Sequence, residues 1–288
     1  MMTPNPDRER AHRVLAHGDL TVIGRIRSAS NATFLCEARL KDGLEDHQEH
    51  CVYKPVAGEA PLWDFPDGTL AGREFAAYLV SAALDWNIVP YTIIRDGPAG
   101  PGMVQRWVDQ PGDALSEQDP AEDADNPDTA GPDLVDLVPA GQLPQGYLPI
   151  LQAYDYAGAE VTLVHADTDA LRRMAVFDVV INNADRKGGH ILAGVDGGVY
   201  GVDHGVSLHA EDKLRTVLWG WAGKPVEDAN LTAVARLGRR LDGELGAQLG
   251  AHITDREVAA LQSRIIALLD NPVMPTPDRH RPIPWPAF

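Results

Sequence analysis

"INNADRKGGHILAGVDGGVYGVDHG", residues 181–205, gathers acids, imidazoles and glycines around what reads as strand, turn, strand. Asp185 and Arg186 are followed by His190, five residues after the aspartate. A short apolar run, Val199 to Val202, then delivers Asp203, His204 and Gly205. If the chain turns back at Asp196-Gly197-Gly198, His190 and Asp203 lie near the open end of a hairpin. A carboxylate and an imidazole placed this way can bind a divalent ion, with Asp185 within a loop's reach. The carboxylates suit Mg²⁺, and the imidazole extends the range to Mn²⁺ or Zn²⁺. On these residues alone a polar turn is an equal reading, since Asp and Gly dominate turns of every kind.

Outward from this stretch the chain divides by pattern. "DALRRMAVFDVVINN" (169–183) puts Leu171, Met174, Phe177, Val180 and Ile181 along one helical face. Residues 18–108 read as strands around one helix. "LTVIGRI", "ATFLCEARL" and "EHCVYKPV" suggest an antiparallel meander in which Cys36 and Cys51 face each other, reduced. "GTLAGREFAAYLVSAAL" has helical spacing, and "VPYTIIRD" and "GMVQRWV" resume strand character. Beyond residue 146 the chain reads as mainly helical, with Thr254 and Glu257 forming a capping box and a Pro-rich tail (271–288) packing over the surface.

The 288 residues suffice for one large domain or two lobes. Composition is that of a soluble protein, 44% hydrophobic and 23% charged. With no long apolar run and no apolar leader, the expectation is a cytoplasmic chain without stable membrane insertion. The net charge of −17 is local: residues 107–171 hold 14 acids and no Lys or Arg, and the rest sums to −3. Nucleic-acid binding through a broad basic face is therefore not expected. Residues 109–145, rich in Pro, Gly and Asp and without an aromatic ring, read as a mobile acidic insert. The insert could meet a protein partner, and its "LVDLVP" patch could dock or form a turn of helix.

A second feature joins the first. Lys54 in "CVYKP" sits on a strand and Glu74 in "AGREFAAYL" on the helix that follows. A strand lysine paired with a helix glutamate is how kinase-like folds place nucleotide phosphates. In order, "VYKP", "GREFAAYLV", "VPYT", "GMVQRWV", "VINNADRKGGH" and "GVDHG" resemble the phosphatidylinositol 3-/4-kinase-like branch of the protein-kinase fold. The likeness is greatest to its type II phosphatidylinositol 4-kinases and, more narrowly, to an uncharacterised actinobacterial kinase-like family. It covers residues 20–108 and 150–225.

The resemblance implies a two-lobed α+β protein-kinase-like fold. A strand-rich N-lobe (18–108) would follow a terminal segment (1–17), and the insert (109–145) would precede a mainly helical C-lobe (146–288). It implies ATP with Mg²⁺ or Mn²⁺ as cofactors. Lys54 would meet the phosphates, Glu74 would hold Lys54, and the backbone of Gln105, Arg106, Trp107 and Val108 would receive adenine. Asp185 would orient or deprotonate an acceptor hydroxyl, and Asp203 would hold the metal. His190 stands where the family has a metal-binding Asn, and neutral imidazole can take that place. Ser28, Ser30 and Asn31 replace a glycine-rich loop and would cradle phosphate through hydroxyl and backbone donors. Lys187 lies where it could neutralise the transferred phosphoryl group.

The acceptor could be a lipid head group, a protein Ser or Thr, or a small metabolite. Two other classes compete: a nucleotide-binding pseudokinase that regulates a partner, and a metal-dependent hydrolase using His190, Asp203, His204 and His209.

Overall fold

Alternation in the first hundred residues becomes a sheet with two unlike faces. The computed structural model describes residues 6–26, 31–60, 62, 64, 65, 70–112, 133–278 and 280–288. Strands β1 (Asp19–Arg25), β2 (Phe34–Asp42), β3 (Glu45–Pro55), β4 (Thr92–Gly97) and β5 (Gly100–Arg106) form an antiparallel sheet ordered β1-β2-β3-β5-β4. Cys36 pairs with Cys51 across the β2–β3 hairpin, as the alternation predicts; both are free and buried. Burial pushes the Cys36 thiol up to about 11 and the Cys51 thiol up to about 12, so both stay protonated.

One face of the sheet carries Cys36, Ala38, Cys51, Tyr53 and Val104, and helix α1 (Pro6–His17) covers it with Val14 and Leu15. Within the expected terminal segment (1–17), Pro6–His17 is thus a helix, since Ala11, Val14 and Leu15 have helical spacing and are buried. Side chains alternate along a strand, so Val52 and Lys54 point to the opposite face. On that side packs α2 (Leu70–Leu84), which also meets β4 and β5.

Helix α2 is pinned at both ends. The Glu59 carboxylate accepts from the Leu70 and Ala71 N–H groups at 2.8 Å each, supplying the acceptor that a helix N-terminus lacks. At the other end Arg236 and Arg240 donate to the Leu84 and Ala83 carbonyls. Ala76, Ala77, Val80, Ala83 and Leu84 join the main core with helices α3 (Asp169–Ile181), α4 (Asp228–Leu241), α5 (Glu244–Gly250) and α6 (Asp255–Asp270). The capping box opens α6: Thr254 accepts from the Glu257 N–H while Glu257 accepts from the Thr254 N–H.

Two regions differ from the sequence reading. "LVDLVP" docks as a strand and not as a helical turn: Val135–Pro139 is strand β6, in a three-stranded sheet ordered β6-β8-β7, and Val135 joins the main core. The sheet's other strands, β7 (Tyr147–Tyr154) and the central β8 (Glu160–Ala166), occupy a stretch expected to be mainly helical. Val135, Val138, Leu163 and Val164 are buried, which repays the ordering of a segment whose acidic composition hid its alternation. His165 at the end of β8 is a satisfied core histidine, accepting from the Gly220 N–H at 3.1 Å. Trp219 and Trp221 are likewise buried, and Trp221 donates to Asp167. The molecule is thus mixed α+β, with antiparallel sheets and six helices among the described residues.

Arg73 of α2 pairs with Glu257 of α6 at 2.7 Å, with both side chains almost inaccessible, and donates to the Ser207 carbonyl. Replacing Arg73 by Ala leaves the Glu257 charge buried and unpaired, so Arg73→Ala should lower stability by about 3–5 kcal/mol. The midpoint and slope of urea unfolding check this figure.

Candidate functional site

The face of the sheet turned away from α1 presents its only cation on β3 to two carboxylates. Lys54 Nζ donates to Glu74 Oε1 at 2.5 Å and to Asp203 Oδ1 at 2.6 Å. Glu74 is 3% exposed and Asp203 50% exposed, so the lysine bridges a buried acid to one facing the open cleft. The Lys54 ammonium holds the Asp203 carboxyl well below the usual range, and the two acids raise Lys54 in return. Burial pushes Glu74 the other way, upward, with Lys54 opposing it. Asp203 adopts φ 62°, a left-handed conformation that costs a non-glycine residue energy and clusters at functional sites.

The loop carrying Asp185 leaves α3 through Asn182, a left-handed C-cap at φ 54°. The predicted hairpin follows, with β9 (Ile191–Ala193) and β10 (Val199–Gly201) turning at Asp196-Gly197-Gly198. Arg186 is wholly buried at the open end of this hairpin. Its guanidinium donates to both oxygens of Asp178, to the His190 and Val202 carbonyls, and to His204 Nε2 at 2.6 Å. Gly201 lies under this guanidinium: a Cβ there would come within 3.0 Å of it. Burial, with Arg186 beside it, drives His204 well below the usual imidazole range, so the ring is neutral and can accept. His204 is therefore an anchor for Arg186.

Asp178 was not singled out in the sequence, and it collects the whole site. Its carboxylate accepts from Arg186, from Asn183 Nδ2 at 3.0 Å and from Thr216 Oγ1 at 3.1 Å. The available signal was an acid inside the apolar "VFDVVI" of a helix, where a charge is retained only if paired.

Asp185 and Lys187 lie together, Nζ to Oδ2 at 3.4 Å. Burial raises the Asp185 carboxyl, and Lys187 and then His190 pull it back. His190 donates from Nδ1 to the Asp185 carbonyl at 2.8 Å, and its Nε2 faces Asp203 Oδ2 at 3.4 Å. Burial lowers His190, which favours the neutral ring. Two lone-pair atoms then confront each other, an arrangement satisfied by a divalent cation or a proton between them. The donor set fits a metal shared with a ligand's oxygens. Among the described residues no group of three His, Cys, Asp or Glu could hold a metal by itself. The hydrolase alternative required such a set. His209 instead turns edge-on to Phe65 at 5.2 Å.

A cavity of about 270 Å³ brings together Asn31, Lys54, Glu74, Asp185, Asp203 and Gly205. Ser28 and Ser30 lie outside the described residues. The expected adenine-binding stretch is not in this cavity. Gln105 is buried and donates to Thr92, and the Trp107 N–H is committed to the His50 carbonyl. Arg106, Trp107 and Val108 line a separate cavity of about 620 Å³ with Arg8, His12 and Tyr91. No helix among the described residues is long and apolar enough to cross a membrane.

No family model matches the chain. "Protein Rv2133c" of Mycobacterium tuberculosis is 66% identical over 281 residues, 98% of this chain and 96% of that protein. Among solved structures, the Helicobacter pylori proinflammatory kinase CtkA aligns over 90% of this chain and 93% of its own at 11% identity. Its TM-score of 0.39 is too low to carry an argument.

Lys54→Met leaves Glu74 and Asp203 without their cation, and should cost about 3–5 kcal/mol at pH 7.5, as for any broken buried pair. Glu74 without Lys54 has its folded pKa raised further above its unfolded value. Stability linked to such a group is present at low pH and lost as pH rises through the folded value. The gap between variant and wild type should therefore narrow as pH falls towards 5, read by urea unfolding at both values.

Proposed function

The chain belongs to the family of its mycobacterial relative, and for it we propose an ATP- and metal-dependent phosphotransferase that moves a γ-phosphoryl group to a hydroxyl acceptor. The observation that carries this reading is Lys54 held between Glu74 and Asp203 in one cavity with Asp185. In this reading the five-stranded sheet with α2 is the N-lobe of a kinase-like fold, and the elements after it form the C-lobe.

Catalysis here is positioning and charge neutralisation. Lys54, oriented by Glu74, contacts the nucleotide phosphates, and Asn31 lines the same cavity. A divalent ion, Mg²⁺ or Mn²⁺, would be held by Asp203 and His190 and would neutralise charge on the phosphate oxygens. Asp185 accepts the proton of the acceptor hydroxyl, and Lys187, 3.4 Å from that carboxylate, offsets negative charge building on the transferred group. The phosphatidylinositol head group is one candidate acceptor beside proteins and metabolites.

Calorimetry tests the nucleotide half of this reading: ATP with Mg²⁺ or Mn²⁺ should bind wild type, and Asp203→Ala should lose at least tenfold in affinity. Asp185→Asn should keep that binding and lose about 10²–10⁴-fold in transfer of labelled γ-phosphate, the size of a general-base contribution. Binding without transfer in wild type would favour the pseudokinase. Absence of binding with either metal would end the nucleotide reading.

The pH profile is a further prediction. Asp185 works as a base only when ionised, and burial raises it above the ordinary aspartate value. The acidic limb of kcat should therefore sit above that value. Lys187→Met removes a cation that favours the carboxylate, so it should move the limb to higher pH.

A further inference from the structure

The last residues of the chain lie on the catalytic loop. The Pro282 carbonyl accepts from the Thr216 N–H at 3.1 Å and from the Trp219 indole N–H at 3.0 Å. Five residues later the Ala287 carbonyl accepts from the Gly188 N–H at 2.7 Å. The Phe288 ring sits on Gly188 so closely that a Cβ there would be 2.4 Å from it. Segment 215–217 lies between, since Arg186 N–H donates to the Arg215 carbonyl and Val217 N–H to the Arg186 carbonyl. Gly188 is three residues from Asp185 and adjacent to Lys187. The tail therefore touches the loop at the residue next to Lys187, three positions from Asp185, beside the residues that line the Lys54 cavity.

The chemistry of the contact is informative. The groove offers N–H donors, from Gly188, Thr216 and Trp219, and the tail answers with main-chain carbonyls. Only two carbonyls, those of Pro282 and Ala287, are read, and carbonyls recur along every polypeptide, so these contacts accept an extended peptide with little regard to its side chains. The occupant, "PIPWPAF", has three prolines and no hydroxyl side chain, so it cannot itself be an acceptor. Its hold is partial: Ile283 and Ala287 pack against the core, while Trp285 is 81% and Phe288 47% exposed.

We propose that Pro282–Phe288 is an intramolecular, hydroxyl-free occupant of the acceptor groove, and that the groove takes an extended polypeptide bearing Ser or Thr when the tail leaves. The proposal deepens the phosphotransferase reading and rests on it. It assigns the acceptor to the polypeptide class and gives the site an internal competitor.

The test compares the full chain, a chain ending at Arg281, and full-length Phe288→Ala, which loosens the tail without removing it. Fluorescein-labelled PIPWPAF is titrated into each by polarisation, without ATP. The shortened chain should bind it at least tenfold more tightly than wild type, with Phe288→Ala between them. Amide exchange at Gly188 should speed up about tenfold on shortening and slow again when the free peptide is added. With ATP, shortening should raise kcat/KM for a mixed Ser/Thr peptide pool at least tenfold, chiefly through KM, and free PIPWPAF should compete. Equal peptide affinity in all three proteins, with ATP turnover intact, would overturn the proposal alone. Acceleration towards phosphoinositide vesicles instead of peptides would overturn it too. Tighter peptide binding on shortening, with no phosphoryl transfer to any acceptor, would support the tail as occupant and sink the phosphotransferase reading.

Discussion

The buried pair of Asp178 and Arg186 is the constraint on which the rest of the site depends. Both side chains are fully inaccessible, and desolvating two charges costs several kcal/mol each before any attraction is counted. The cost is offset because the remaining donors and acceptors are used. Asp178 also takes Asn183 and Thr216, and Arg186 also reaches the His190 and Val202 carbonyls and His204. Four segments are tied by this one contact: the end of α3, the loop of Asp185, the loop of Asp203, and residues 215–217. Apolar side chains of the same volume would fill the space and would fix none of those loops in register.

With the loops set from beneath, the charges above them need only a rigid opposite wall, and α2 supplies it. Glu59 caps its start, Arg236 and Arg240 cap its end, and Arg73 locks it to α6. The small residues Ala76, Ala77 and Ala83 let it approach the helices of the main core closely. Glu74 is thereby held where Lys54 must meet it, and Lys54 in turn fixes the free edge of Asp203. Such preorganisation puts the cost of assembling like charges into folding, leaving none of it to the moment a ligand arrives.

Much of this was legible in the chain. The hairpin at Asp196-Gly197-Gly198, the strand of Lys54, the helix of Glu74 and the Thr254–Glu257 box all rest on spacings within a few residues. The meeting of Lys54 with Glu74 follows from the pairing of a strand lysine with a helix glutamate, but the second bond of Lys54, to Asp203, does not. The β6–β8 sheet could not, because its strands follow an acidic, Pro-rich stretch whose composition dominates any window laid across it. The stretch from Gln105 to Val108 reads as the end of a strand, yet Arg106, Trp107 and Val108 line a cavity with α1 while Gln105 is buried against Thr92.

The sequence by itself determined the periodicities, the turns and the kinds of chemical group available, because these depend on neighbours along the chain. Only the tertiary structure decided which charges are buried and what they touch. Asp178 looks like an ordinary helical acid until Arg186 is seen filling it, and Gly188 like a loop glycine until Phe288 is seen lying on it. Burial and desolvation are properties of surroundings, and for these residues the surroundings come from segments up to a hundred positions away in the chain.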